Sequence, residues 1–305
     1  MQDSKDLIII GGGPAGLAAA IYAARYNLKT LMVVEKFGGQ MANAPFIENY
    51  PGFEKIPGAE LAQKISNQVK KLGVEILNGK VIKIKKSAQG SRVQTESGKE
   101  LISKTILLTC GMERRKLGVP GEKELEGRGV SYCSTCDGPL FKGKKVAVIG
   151  GGDAGLASAF HLAQICPEVY VIEILPKLQA EPYWQEKIKS KKNVEILLAT
   201  KVKKILGKEF VEGLLVEDKN NEKRLEASGV FVEIGSIPST DLAKKLNLKL
   251  DEQGFIKIDS SGKTSLNGIW AAGDITTGSD KFWQILTAMA EGAIATHSIF
   301  KSLKK

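Results

Sequence analysis

The sequence predicts an α/β fold in which one βαβ design is used twice. Three observations predict it. An apolar strand runs into a glycine-rich turn and a helix near the N-terminus, and the same order recurs from Val146. In both copies the helix is followed by a second apolar strand, and each of these strands ends in a glutamate, Glu35 and Glu173. Self-similarity of this kind marks a repeated supersecondary unit, and strands that alternate with helices imply a parallel sheet.

Taken in order, Leu7–Ile10 is a strand, Gly11–Gly16 a turn, Leu17–Arg25 a helix and Thr30–Val34 a strand. A polar stretch with Gly and Pro follows from Phe37 to Pro57. The spacing of Leu61, Ile65, Val69 and Leu72 then predicts a helix over Ala59–Leu72. Short strands are expected at Val74–Leu77, Val81–Ile84 and Arg92–Thr95, leading to an apolar strand, Thr105–Thr109. The second copy reads as strand Val146–Ile149, a helix through Leu162 and strand Val169–Ile172. Beyond it, Gly229–Ile234 is a strand, Gly235–Pro238 a turn, Gly268–Ala272 a strand, and a closing helix starts near Gln284. Without a low-complexity linker the joints must be short, and they are expected near Arg114–Leu117 and Thr240.

Composition excludes several classes. At 305 residues with 43% hydrophobic and 26% charged content, the chain has enough apolar material for two cores. The net charge of +10 is spread along the sequence instead of forming blocks, which argues for a solvated Lys-rich surface and against nucleic-acid binding. Leu7–Ala24 holds no charge over 18 residues, but glycines and Pro14 sit in its middle, and Asp3 and Asp6 precede it where a signal would be basic. A membrane span and a signal peptide are both rejected, and cytoplasmic residence is expected. The four cysteines, at 110, 133, 136 and 166, are too few for a disulfide scaffold and lack the second close pair a zinc site needs. No metal is expected.

The two turns, Gly11-Gly12-Gly13-Pro14-Ala15-Gly16 and Gly150-Gly151-Gly152-Asp153-Ala154-Gly155, are strong signals because each follows a strand and opens a helix. The first glycines let backbone approach a pyrophosphate, and the last lets helix and strand pack closely. Phosphates then meet N–H groups at the positive end of a helix. Glu35 comes 19 residues after Gly16 and Glu173 comes 18 after Gly155, where a carboxylate can accept hydrogen bonds from an adenosine ribose. Two such turns imply two dinucleotides, a flavin and a nicotinamide. Glu173 would repel a 2′-phosphate, and Lys177 is the only cation between Glu173 and Ala180, so NADH is favoured over NADPH.

Cys133-Ser134-Thr135-Cys136 is a redox couple by its spacing, since two intervening residues allow a small, openable disulfide ring. One sulfur must face the flavin and the other the partner; Cys136 is assigned to the flavin and Cys133 to exchange. Asp137, directly after the pair, is a candidate to protonate a leaving thiolate or accept a thiol proton. Cys110 and Cys166 read as buried small residues, and His161 and His297 as structural residues of helices.

With these motifs the chain resembles the low-molecular-weight thioredoxin reductases over essentially its full length. Gly38-Gly39-Gln40, Glu48-Asn49-Tyr50-Pro51-Gly52, Gly118-Val119-Pro120-Gly121-Glu122 and Ala271-Ala272-Gly273-Asp274 carry the likeness together with the CSTCDG stretch and both glycine turns. From Asp137 to Thr200 it is also similar to the reductase portion of the alkyl hydroperoxide reductase flavoprotein, which prefers NADH. That flavoprotein has an added N-terminal thioredoxin-like domain, which is not expected here because the flavin turn begins at residue 11.

The resemblance implies two Rossmann-like three-layer dinucleotide-binding domains, the second inserted in the first. The FAD domain would comprise 1–114 and 242–305, and the NAD(P)H domain 115–241 with the thiols. It implies that FAD is held by Gly11, Gly13, Pro14, Ala15, Gly16, Glu35, Gly39, Gln40, Asn49, Gly111, Gly273, Asp274, Gln284 and Ile285. NAD(P)H would lie on Gly150, Gly152, Asp153, Ala154, Gly155 and Glu173. It further implies catalysis by Cys133, Cys136 and Asp137, a homodimer, two domains that rotate so that disulfide and nicotinamide reach the flavin by turns, and thioredoxin or a thioredoxin-like protein as acceptor. A peroxiredoxin-system or glutaredoxin-like partner, or a small dithiol as substrate, is the other reading. Three departures stand out, the first being Cys110 where the family usually shows Thr. Glu173-Ile174-Leu175-Pro176-Lys177 replaces the His-Arg-Arg stretch of NADPH-specific relatives, and Phe282-Trp283-Gln284 replaces a stretch with a basic residue beside the flavin.

Overall fold

The computed structural model describes residues 4–87, 90–219 and 221–304; Asp3 lies outside them. The chain divides into two compact units, residues 1–113 with 238–305 (unit 1) and Arg114–Ile237 (unit 2). The seams fall one and four residues before the boundaries expected at 114 and 241.

Unit 1 is built on β1 (Lys5–Ile10), β2 (Thr30–Val34), β3 (Glu75–Asn78) and β6 (Glu100–Leu108), with β17 (Ile269–Ala271) beside β6. These pair in parallel in the order β3-β2-β1-β6-β17. Antiparallel β5 (Gly90–Thr95) and β4 (Val81–Ser87) continue from β6. Strands buried on both faces read as continuous apolar runs, and β1 shows why. Leu7 and Ile9 enter one core with Leu17, Ala20, Ala295 and Ile299, while Ile8 and Ile10 enter a second with Val81, Val93 and Ile256. Leu7, Ile8 and Ile9 are 0% exposed, each worth roughly 1.5–3 kcal/mol of burial. The long uncharged run of the sequence is thus a strand and helix α1 (Pro14–Arg25) inside a core. Among the described residues no helix is long and apolar enough to cross a membrane.

Helix α1 starts three residues earlier than expected because Pro14, with fixed φ and no N–H to satisfy, suits the first helical position. Helix α7 (Ile285–Leu303) packs on it so closely that a Cβ on Gly292 would stand 2.1 Å from the Ala15 carbonyl oxygen. The remaining helices of the unit are α2 (Gly58–Lys71) and short α6 (Asp241–Lys245).

Unit 2 repeats the plan with β9 (Val146–Ile149), α4 (Asp153–Leu162) and β10 (Val169–Ile172), and adds β11 (Val194–Leu197), β15 (Gly229–Val232) and β8 (Val130–Ser131). All are parallel in the order β11-β10-β9-β15-β8. Val146 and Val148 face a core with Leu156, Leu162 and Phe231, whereas Ala147 and Ile149 face one with Val202, Leu214 and Val216. That second face is covered by an antiparallel sheet of β12 (Thr200–Leu206), β13 (Gly213–Asp218) and β14 (Asn221–Glu226). Helix α5 (Pro182–Lys189) completes the unit.

The sequence pattern does not announce β8, β11–β14, α5 or α6, whose short or charged segments give weak periodicity. By its residues Gly235–Pro238 is expected to be a turn. Ser236–Pro238 is instead a strand (β16), the counterpart of β7 (Met112–Arg114), where the chain crosses between the units. Pro is tolerated at a strand end, where it need not donate to a ladder.

Candidate functional site

In unit 1 the first glycine turn lies between the C-terminal end of β1 and α1. A Cβ on Gly11 would stand 2.2 Å from the Thr109 carbonyl oxygen, and one on Gly16 would stand 2.2 Å from the Gly11 carbonyl oxygen. Backbone packing therefore accounts for both. Gly13 differs: it is the N-cap with ordinary φ −77°, and a Cβ there would meet only the Gly39 Cα, at 4.0 Å. Protein packing does not require glycine at that place, but a pyrophosphate approaching the backbone does. No side chain caps α1 and its first turn carries no acid, so the residues fit an anionic group. Glu35, at the end of β2, is half-exposed and 3.9 Å from Lys80.

Other expected flavin residues gather in the same unit. Gln40 donates through Nε2 to the Met112 carbonyl at 2.8 Å. Asn49 Nδ2 donates to Gln284 Oε1 at 3.0 Å, joining two residues 235 positions apart. Gln284 is the N-cap of α7 in a reciprocal capping box with Thr287, which sets the start of the helix at Ile285. Gly39, Gly111 and Gly273 all take positive φ, at 54°, 65° and 81°. Burial, reinforced by the nearby Glu291 carboxylate, pushes Asp274 up to about 6. Glu291 itself was not anticipated. Its Oε2 accepts from the Gly273 N–H and the Thr276 hydroxyl, and its Oε1 from the Ser279 hydroxyl, so it shapes the Gly273-Asp274 turn.

The second turn, in unit 2, repeats the glycine logic. A Cβ on Gly150 or Gly155 would meet a backbone oxygen at 2.3 or 2.0 Å, while one on Gly152 would meet nothing within 4 Å. Gly152 caps α4 without side-chain help, so backbone here also fits a phosphate. Two carboxylates distinguish it. Asp153 stands in the first turn of α4 and accepts from the Glu181 N–H at 2.7 Å. Glu173 is 7% exposed, and its oxygens accept from the Gly151 N–H at 2.6 Å and the Leu175 N–H at 2.8 Å. The sequence reading offered Glu173 to a ribose; in the structure it first braces its own turn, and the lone pairs left over are those a ribose hydroxyl would use.

Cys133 and Cys136 form a disulfide with Cα atoms 5.4 Å apart, at helical turn α3 (Ser134–Asp137). Cys133 Sγ accepts from the Cys136 N–H at 3.2 Å. Within the unit Cys136 is exposed and Cys133 half-buried. Asp137 Oδ2 accepts from the Ser131 hydroxyl at 2.7 Å. A buried chain secures the turn from beneath: Ser134 Oγ donates to Ser158 Oγ at 2.8 Å, Ser158 to Glu233 Oε1 at 2.9 Å, and Arg114 Nη1 to Glu233 Oε2 at 2.6 Å. Burial pushes the Glu233 carboxyl up, and Arg114 opposes it. Because Ser158 lies on α4, the thiols and the second glycine turn share one rigid support. These partners are scattered from 114 to 233, and no local pattern announces them.

Cys110 is pushed up to about 12 and Cys166 to about 11, chiefly by burial, which makes both poor nucleophiles. His297 Nδ1 pairs with the Tyr26 hydroxyl at 2.9 Å, and burial pulls His161 down. Among the described residues no His, Cys, Asp and Glu side chains cluster as a metal site would need.

The family model for pyridine nucleotide-disulphide oxidoreductase matches residues 5–292. The chain belongs to that family. Membership implies FAD and a nicotinamide cofactor, and the glycine turns described above fit both groups. Among relatives of this oxidoreductase, the F subunit of alkyl hydroperoxide reductase from Pseudomonas aeruginosa is 42% identical over 99% of the chain. A protein named NADH dehydrogenase from Bacillus subtilis is 38% identical over 99%. The chain spans 59% of the length of each. Thioredoxin reductase of T. acidophilum superposes with a TM-score of 0.93 at 37% identity, covering 99% of both chains. That of Lactococcus lactis also gives 0.93, at 34% identity over 98% of both. The fold is that of these thioredoxin reductases, with Rossmann-like domains for FAD and NAD(P).

Proposed function

We propose that this oxidoreductase passes electrons from NADH, through FAD, to the Cys133–Cys136 disulfide and on to thioredoxin or a thioredoxin-like protein. The observation that carries the reading is the paired Cys133 and Cys136 on a turn pinned to the helix of the second glycine turn. FAD, when bound, supplies a two-electron carrier between a hydride donor and a disulfide. Gly13, Gly39, Gln40, Asn49, Gly111, Asp274 and Gln284, with Ile285, would hold it in unit 1. The backbone N–H groups of Gly152, Asp153 and Ala154, with the Glu173 carboxylate, would hold the nicotinamide cofactor in unit 2. The chain's own chemistry is thiol–disulfide exchange: Cys136 is assigned to the flavin side, Cys133 attacks the partner's disulfide, and Asp137 moves the proton. We place the enzyme in the cytoplasm as a homodimer.

NADH is favoured because a carboxylate at this strand end, the buried Glu173, would accept from a ribose hydroxyl and repel a 2′-phosphate. Beyond Glu173, Ile174 and Leu175 are exposed and apolar, and Lys177 is the single cation before Ala180. Anaerobic titration of the bound flavin with each nicotinamide tests this, and equal or better reduction by NADPH overturns it. Replacing Cys136 by Ser is expected to leave flavin reduction by NADH intact and to abolish thioredoxin reduction; retained turnover defeats the disulfide mechanism.

A second reading, delivery of electrons to a peroxiredoxin-system protein, is favoured by the 42% identity to an alkyl hydroperoxide reductase component. Adding oxidised thioredoxin, glutaredoxin or peroxiredoxin to the NADH-reduced enzyme and following flavin reoxidation separates the acceptors.

A further inference from the structure

The hydrogen bonds around the thiol turn single out a residue that the sequence reading passed over. Ser131, the last residue of β8, is 5% exposed, and its hydroxyl serves two neighbours. It accepts from the Cys133 N–H at 3.0 Å and stands 2.7 Å from Asp137 Oδ2, to which it donates. A hydroxyl has one proton, and the Cys133 carbonyl, at 3.3 Å, is the longer contact, so the proton goes to the carboxylate. The Asp137 N–H is in turn fixed on the Cys133 carbonyl at 3.1 Å. The acid, the first cysteine and the serine therefore form one closed ring of contacts held by a strand end.

We infer that Ser131 is a positioning residue for thiol–disulfide exchange: it aims the Asp137 carboxylate by engaging Oδ2, leaving Oδ1 to exchange a proton with the thiols. The inference rests on the disulfide-reductase reading above. In the reaction, Asp137 takes the proton of the Cys133 thiol as its sulfur bonds to one sulfur of the partner's disulfide. The partner's S–S bond breaks, and the leaving thiolate recovers that proton. Cys136 then attacks Cys133, the mixed disulfide breaks, and the second partner thiolate takes the Cys136 proton. The enzyme dithiol is oxidised by two electrons, the partner disulfide is reduced by two, and Asp137 ends ionised. A carboxylate free to rotate would meet the thiols in fewer of its orientations.

The test uses the full chain, reduced with a small dithiol and desalted, reacted with two disulfides in the absence of nicotinamide. Dithiodipyridine expels a good leaving group that needs little help from an acid, whereas bis(hydroxyethyl) disulfide expels a basic thiolate. Ser131→Ala is expected to slow the alkyl disulfide about tenfold more than the aryl one, a fraction of the 10²–10⁴ that a positioned acid supplies. Ser131→Thr, which keeps the hydroxyl, should restore the ratio. Asp137→Asn alone should show the same selectivity, and Ser131→Ala added to Asp137→Asn should change it less than about twofold, the signature of a coupled pair. Equal slowing of both disulfides by Ser131→Ala, or an undiminished effect in the Asp137→Asn background, overturns the inference. A reduced wild-type dithiol that reacts with neither disulfide sinks the functional reading instead.

Discussion

The two glycine turns share a backbone plan yet differ in charge. Around Gly13 no acid stands in the first turn of α1, and Glu35 lies out at the surface. Around Gly152 an acid, Asp153, occupies the first turn of α4, and Glu173 is buried with both oxygens already on backbone N–H groups. The first turn offers its helix N-terminus to phosphate without competition; the second partly satisfies its own donors. That difference leaves the N-terminus of α1 open to an anion and sets a negative charge at that of α4. The glycines set how closely an anion can approach the backbone, while the carboxylates set the local charge it would meet.

Four measurements sharpen or break this contrast, beginning with the largest effect. Gly13→Val fills the open cradle without touching the packing of Gly11 or Gly16, so the purified protein should lose its flavin absorbance, an affinity loss of roughly 100-fold or about 2.7 kcal/mol, with unchanged circular dichroism. A yellow variant would show that phosphate does not lie there. Gly152→Val should leave the flavin and weaken only the nicotinamide cofactor.

Next comes Asp274, whose folded-state pKa of about 6 lies above its ordinary value. Its contribution to stability is fully present at low pH and is lost as pH rises through about 6, because the native state holds the proton longer. Asp274→Asn should therefore stabilise the flavin-free protein at pH 7 by up to about 3 kcal/mol and have no such benefit below pH 4. Thermal unfolding across that range checks the sign, and a variant less stable at pH 7 would contradict it.

Third, Glu173→Ala leaves the Gly151 and Leu175 N–H groups without their acceptor and should cost about 1–3 kcal/mol. Glu35→Ala, at an exposed carboxylate, should stay within about 0.5 kcal/mol. Hydrogen exchange at Gly151 and Leu175 reads the first, and equal costs for the two glutamates would erase the distinction. The smallest effect belongs to Asp153→Asn, which removes a negative charge from a helix start worth about 0.3–1 kcal/mol and should tighten NADH about two- to fivefold. Weaker binding would mean that Asp153 holds the cofactor by a direct hydrogen bond.

Much of the candidate site was legible in the sequence because its signals are local. A strand, three glycines, a helix and an acid at fixed spacing are read within forty residues, and so is Cys133 with Cys136. Segments whose identity depends on distant partners were not legible. Ser236–Pro238 resembles a turn until it is seen as a strand, and β12–β14 carry lysines and glutamates whose alternation is masked by their outer face.

From its residues alone the chain determined two dinucleotide turns, a redox pair and the strands that carry them, since backbone conformation at glycine and the period of apolar residues are short-range properties. Only the tertiary structure decided that Glu173 braces Gly151, that Asn49 meets Gln284, that Glu291 holds the turn before Asp274, and that Ser131 and Ser158 flank the thiols. Those partners lie from 6 to 235 positions apart, and a hydrogen bond needs its two atoms within about 3 Å, a distance that chain spacing at such separations leaves open until the whole fold has closed.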